Sequence, residues 1–293
     1  MNHPVDLNSK ISTGRNLWKL SPAKVLKDLQ NDKKSTDEFE TLLFIPDNKD
    51  RISEGGFRKK GYFKKNDEKK PLITIITVVF NNGPCLQKTI LSVLNQNYEN
   101  IEYILIDGGS TDETLSILRK YDFALDYWVS EKDNGIYDAM NKGCRLSMGS
   151  GLIFLNSGDK FIGQVLNKQC IIPSLLPCRV LENHQKIWKR EISDPTLGMP
   201  TSHQAMLFKN KRKLFDLKYR VSSDYDYFIR HGAFSNYDNN CLGYVLYENN
   251  GFSKNNKIKR DLDTFKIIFN YFGLTKALKF IKKQFIKFIL NIL

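Results

Sequence analysis

The 293-residue chain carries 45 Lys+Arg against 32 Asp+Glu, a formal charge of +13, and is 41% hydrophobic and 12% aromatic. That apolar content supports a substantial core and excludes wholesale disorder, while the lack of any run of about 18 uncharged apolar residues argues against an ordinary membrane-spanning helix. Five cysteines, none in a C-x-x-C pair, exclude a full disulfide framework and point to a reducing compartment.

The charge is unevenly placed. Residues 1–70 hold 16 Lys+Arg and 11 Asp+Glu, residues 71–253 hold 19 of each, and residues 254–293 hold 10 and 2. The surplus therefore lies in the two flanks, and the neutral centre argues against nucleic acid as the main ligand. The first segment, 1–70, reads as a polar, basic extension with a short helix near Pro22–Gln30 and an apolar run, Leu42 to Ile45. Its opening stretch, MNHPVDLNSK, lacks the apolar segment of a signal peptide. A linker-like stretch, EGGFRKKGYFKKNDEKK, leads to Pro71.

PLITIITVVFNN then reads as a buried parallel strand, since it is β-branched and continuously apolar. Helical spacing from Leu86 to Leu94 follows. IEYILIDGG is a second buried strand, TDETLSILRKY a helix, DYWVSE a strand, GIYDAMNKGCRLS a helix, and GLIFLNSGD a strand and loop. Strands alternating with helices predict an α/β domain with a mainly parallel sheet. Residues 160–200 carry no clear pattern, and a helix is expected after Ser223.

Ligands of such sheets bind at the carboxyl ends of the strands. The polar residues there are Asn81 and Asn82, Asp107, and Asp159. The first turn, NNGPC, is not a dinucleotide-binding G-x-G-x-x-G, and no phosphate-cradling G-x-x-x-x-G-K-[ST] occurs. Bound phosphates would then need another counter-charge. A divalent cation held by carboxylate oxygen would serve, with Asp159 in LNSGD the best candidate.

Five segments in order, ITIITVVFNN, ILIDGGSTDET, SEKDNGIYDAMNKG, FLNSGD and YRVSSDYDYFIR, with TSHQAMLF before the last, resemble family 2 glycosyltransferases of GT-A fold. The likeness covers roughly 71–253 and is nearest to bacterial enzymes of capsule, O-antigen and exopolysaccharide synthesis. It implies a nucleotide-sugar half over 71–160 and an acceptor half over 161–253. It further implies that Thr77, Phe80 and Asn81 line the donor site, with Phe80 against the nucleobase. Asp107 resembles the carboxylate that bonds the base or ribose, although Gly108 stands where many members have a second Asp. Asp133, Asp138, Asn141 and Lys142 match the segment near sugar and diphosphate. FLNSGD matches the D-x-D metal region with only its last carboxylate, Asp159, which implies Mg²⁺ or Mn²⁺ shared with the donor diphosphate. Asn156 would add its carbonyl.

Inverting transfer needs a carboxylate to deprotonate the acceptor hydroxyl. By resemblance Asp224 in SSDYDYF is that base; Asp226, two residues along, points elsewhere on a helix. His203 and Gln204 in TSHQ, together with Asp226, are placed in the vicinity of the diphosphate or acceptor. The acceptor implied is a glycan or lipid-linked hydroxyl.

Residues 264–293 repeat Leu274, Leu278, Ile281, Phe285, Phe288 and Ile289 at three- and four-residue steps, with Lys276, Lys279, Lys282, Lys283 and Lys287 between them. Such a basic amphipathic helix suits an anionic membrane surface. The expected place is thus the cytoplasmic, inner face of the cell membrane, held peripherally. A nucleotidyltransferase acting on a sugar phosphate, or a non-enzymatic membrane- or nucleic-acid-binding protein, are the alternative readings.

Overall fold

The computed structural model describes residues 17–30, 39–167, 170–182, 186–232, 241–249 and 256–290. Strand β1 (Trp18–Lys19) precedes helix α1 (Pro22–Gln30), and then come β2 (Arg51–Gly55) and β3 (Tyr62–Phe63). The expected alternation follows: β4 (Ile73–Val79), α2 (Gly83–Leu94), β5 (Ile101–Asp107), α3 (Thr114–Lys120), β6 (Tyr127–Glu131), α4 (Ile136–Leu146) and β7 (Gly151–Phe154). Every residue of β4, β5, β6 and β7 is buried, which is why these strands read as apolar runs without alternation. The remainder comprises β8 (Lys160–Gln164), β9 (Ser174–Leu175), β10 (Cys178–Glu182), β11 (Lys186–Lys189), β12 (Met206–Lys209), α5 (Ser223–His231), β13 (Leu242–Glu248) and α6 (Lys257–Leu290).

The main sheet has seven strands in the order β2-β6-β5-β4-β7-β12-β9. Its centre, β6-β5-β4-β7, is parallel. β2, β12 and β9 add antiparallel edges. The chain runs outward from β4 through β5 to β6 and returns to the other side of β4 as β7. The strand order therefore reverses at β4, and the crevice beyond its carboxyl end is where such a sheet binds ligands. Helix α4 lies unusually close to β4. A β-carbon at Gly143 would fall 2.4 Å from Ile76 Cγ2, so only glycine permits this approach.

The unpatterned stretch after Asp159 forms most of a second sheet, β11-β10-β13-β8. Here β10 is parallel to β13, and the other two pairings are antiparallel.

Composition placed a boundary at residue 70, and the structure shows that this falls inside packed protein. β2 is an edge strand of the main sheet. Buried Arg58 donates to Leu43 O, to Leu146 O and, at 2.6 Å, to Glu102 Oε1. Val25, Leu43, Phe63, Leu72 and Met148 form a small separate core.

The terminal helix begins at Lys257, earlier than expected, and bends at Gly273, whose φ is 77°. Ile267, Ile268, Ala277 and Phe280 pack into the main core. Leu274, Leu278, Ile281, Phe285 and Ile289 are instead exposed. The side chains of Lys287 and Phe288 lie outside the described residues. Among those described, no helix is long and apolar enough to cross a membrane.

Candidate active site

Three loops leave the carboxyl ends of β4, β5 and β7 and are bonded into one rim. Phe80, the first residue past β4, is 62% exposed. Asn81 follows with φ of 47°, a left-handed conformation that Asn tolerates better than most residues. Its backbone N–H donates to Ser110 Oγ at 2.7 Å, and its Oδ1 accepts from Thr111 N at 2.8 Å. Asn82 Nδ2 donates to Ser157 O, and Ser157 Oγ donates to Asn82 O, each at 3.2 Å. An exposed aromatic is thus held fast at the strand-order reversal.

On the β7 side, Asp159 is buried and accepts from Gln204 Nε2 and from Glu248 N, each at 2.9 Å. Burial pushes its carboxyl up to about 7. The oxygens Asn156 Oδ1 and Gln204 Oε1 are buried without a hydrogen-bond partner. A buried carboxylate short of positive charge beside an orphaned amide oxygen fits a hard divalent cation such as Mg²⁺ or Mn²⁺, which takes oxygen ligands. Among the described residues no three His, Cys, Asp or Glu side chains cluster as a metal cage. Ligands beyond Asp159 and Asn156 would have to come from substrate and water.

The acceptor-side residues meet here as well. His203 Nδ1 lies 3.0 Å from Asp224 Oδ2, and His203 Nε2 lies 3.4 Å from Asn156 Nδ2. The pattern assigns the proton to Nδ1, which donates to Asp224, while Nε2 accepts from Asn156. Asp224 Oδ1 accepts from Tyr225 N at 3.0 Å and lies 3.1 Å from the Tyr137 hydroxyl. Asp159 N donates to Asn156 O at 3.0 Å, so Asp224, His203, Asn156, Gln204 and Asp159 form one connected polar patch, spanning the loop after β7, α5 and the loop before β12.

Other expected site residues are turned inward. Thr77 is fully buried, and its Oγ1 donates to Leu155 O at 2.7 Å. Asp107 is enclosed by Ser110 N, Ser110 Oγ and Ser130 Oγ, so its carboxylate holds the β5 turn. Asn141 is spent on the backbone of Phe215, donating to its O and accepting from its N. Asp226 accepts from Arg230 Nε at 2.7 Å and Tyr271 OH at 3.0 Å, facing α6 and away from Asp224. For these four the side chain serves packing, because the helix and strand faces that carry them point to the core.

Lys142 donates to Glu131 Oε1 at 2.7 Å and Lys132 O at 3.2 Å, and Asp138 accepts from Asn134 N at the start of α4. Asp133 Oδ1 accepts from Gly135 N at 2.8 Å, and burial raises its carboxyl above the usual range. Sequence reasoning gave no role to Tyr137 or Glu248. Both contact the patch from a distance in the chain, and no local motif signals them.

Residues 74–169 match the family model for glycosyl transferase family 2. An uncharacterized glycosyltransferase of Mycobacterium tuberculosis is 42% identical over 102 residues, which cover 34% of this chain and 39% of that protein. The chain thus spans about two fifths of that relative's length. Staphylococcus aureus TarS 1–349, solved in complex with UDP, superposes with a TM-score of 0.51 at 14% identity, covering 73% of this chain and 72% of that one. Mannosyltransferase PcManGT from Pyrobaculum calidifontis, solved with GDP-Man and Mn²⁺, gives 0.50 at 15% identity, covering 69% and 64%. The stretch 74–169 is thus similar to glycosyl transferase family 2, and the chain that carries it has a GT-A fold.

Proposed function

We propose that the protein is an inverting glycosyltransferase that moves a sugar from a nucleoside-diphosphate sugar to a hydroxyl of a glycan or lipid-linked acceptor in bacterial surface polysaccharide synthesis. The observation that carries this is the joined polar patch of Asp159, Asn156, His203 and Asp224 beside exposed Phe80, at the strand-order reversal. One end of the crevice offers an aromatic face for a nucleobase. The other offers a carboxylate with a separate base across from it, and a displacement with inversion needs groups on opposite sides of the reacting carbon.

Asp224 is the proton acceptor in this reading. His203 Nδ1–H holds Oδ2, Tyr225 N–H and the Tyr137 hydroxyl hold Oδ1, and Oδ2 keeps a lone pair for the acceptor hydroxyl. Asp159 and Asn156 would hold Mg²⁺ or Mn²⁺. When bound, the cation supplies positive charge to the departing diphosphate. Lys142 adds a second cation near the same loops. The exposed apolar stripe of α6, with Lys279 and Lys282 beside it, would rest on anionic lipid, placing the enzyme peripherally on the inner face of the membrane, where lipid-linked acceptors are reached. The solved neighbours that hold UDP, and GDP-Man with Mn²⁺, support a donor of this class.

The test is release of nucleoside diphosphate from UDP- and GDP-sugars with Mn²⁺ and membrane extract as acceptor. Asp224→Asn is expected to lower turnover by about a hundredfold or more, with donor binding retained. Full activity in that variant would remove Asp224 from the base role. Release of pyrophosphate from a nucleoside triphosphate would favour a nucleotidyltransferase instead.

A further inference from the structure

At the turn after β5, a side chain from a different loop fills the space beside a glycine. Gly108 is the first residue past β5, and Phe80 is the first past β4. The two strands pair in parallel up to Val79 against Asp107, so Phe80 and Gly108 are neighbours across the ladder. Gly108 N donates to Val79 O at 3.0 Å, which holds them side by side. Position 108 has no side chain of its own, yet the space is filled. A β-carbon there would lie 2.5 Å from Asp133 Oδ2 and 3.1 Å from Asp133 Cγ. The carboxylate reaches in from the loop between β6 and α4. Its Oδ1 is fixed by Gly135 N–H, and among the described residues Oδ2 has no hydrogen-bond donor.

We infer that Asp133, through Oδ2, reads the Watson–Crick edge of a nucleobase lying against Phe80, and that it selects bases carrying a ring N–H there. The inference rests on the donor-site reading above and adds to it which donors are taken. An ionised carboxylate can only accept. Uracil offers N3–H and guanine N1–H at that edge, whereas cytosine N3 and adenine N1 present bare lone pairs. The same oxygen therefore attracts the first two bases and repels the other two, and selectivity arises as much from the repulsion as from the bond. Gly108 is part of the device, because any side chain there would expel the Asp133 carboxylate.

The test is calorimetric titration of the full chain with UDP, GDP, CDP and ADP in the presence of Mn²⁺. The native protein should bind UDP or GDP at least tenfold tighter than CDP and ADP. A lost hydrogen bond to a charged group corresponds to about a tenfold to hundredfold change in affinity. Asp133→Asn should weaken the preferred nucleotides by that factor and close the gap, since its amide can also donate to cytosine or adenine. Gly108→Ala, which leaves the carboxylate in the chain but displaces it, should narrow the gap in the same way. A native protein that holds CDP or ADP as tightly as UDP and GDP overturns the assignment, as does an unchanged preference in Asp133→Asn. If none of the four nucleotides binds, the donor-site reading fails and this inference with it; if they bind without discrimination, only this inference fails.

Discussion

The amide of Asn141 donates from Nδ2 to Phe215 O at 3.0 Å and accepts at Oδ1 from Phe215 N at 2.7 Å, so both ends of one side chain are spent on one peptide segment. It pins the loop before α5 to α4 and holds Phe215, which stacks on Tyr227 at 4.1 Å between ring centres. Asn141→Ala would leave two buried backbone groups unpaired. A loss of about 2 kcal/mol follows, seen as a lower denaturation midpoint, with nucleotide affinity unchanged. Such a residue is easily taken for a ligand contact, because a polar residue inside a motif reads the same whichever way its face turns. Asp224 and Asp226 show what residue spacing does reveal. Two steps on a helix separate their directions, and the structure sends one to His203 and the other to Arg230 and Tyr271. The His203 contact itself, 21 residues away in the chain, had no local signal.

Among the elements, the buried parallel strands were legible because burial on both faces leaves an unbroken apolar run. The second sheet was not. β10 takes β13, some 65 residues later, as its parallel partner, and β11 is exposed along its whole length, so no periodicity marks it. Helix α5 carries a further consequence at this scale. Its last residue, His231, stacks on Tyr227 with ring centres 3.9 Å apart and meets the edge of Phe208 at 5.4 Å. Nδ1 donates to Tyr227 O, and Nε2 is buried without a partner. Burial lowers this imidazole to about 3. The folded protein thus refuses a proton that the unfolded chain accepts near pH 6.5. The contribution is whole above pH 6.5 and is lost as pH falls toward 3. Melting temperatures taken from pH 7 down to pH 4 should therefore fall more steeply for the native protein than for His231→Phe, whose ring keeps the stack but does not titrate.

For the whole molecule, the split of charge located the surplus in the flanks, but it could not say which flank residues were packed. Apolar positions on one helix serve two purposes here. Ala277 and Phe280 are buried against the body, while Leu278 and Phe285, on another face of the same turns, are 54% and 61% exposed. Leu278→Glu combined with Phe285→Glu is expected to abolish flotation with phosphatidylglycerol vesicles while leaving the melting temperature within a degree or so, since exposed positions contribute little to folding. Retained flotation would show that the helix does not carry lipid binding. The N-terminal segment, by contrast, reads in composition as a polar, basic extension, and its described part is built into the sheet through Arg58 and β2.

That integration has an electrostatic outcome at Glu131. Its Oε1 faces Lys142 at 2.7 Å, and its Oε2 faces Arg51, a residue of β2, at 2.9 Å. The carboxylate is buried and holds two cations, one from each side. If Lys142 swings away toward an incoming anion, Glu131 is not stranded without a counter-ion, because the guanidinium stays in place. The N-terminal strand thereby acts as a stand-by partner, and the lysine is free to move at a far smaller electrostatic cost than breaking an isolated buried pair would impose.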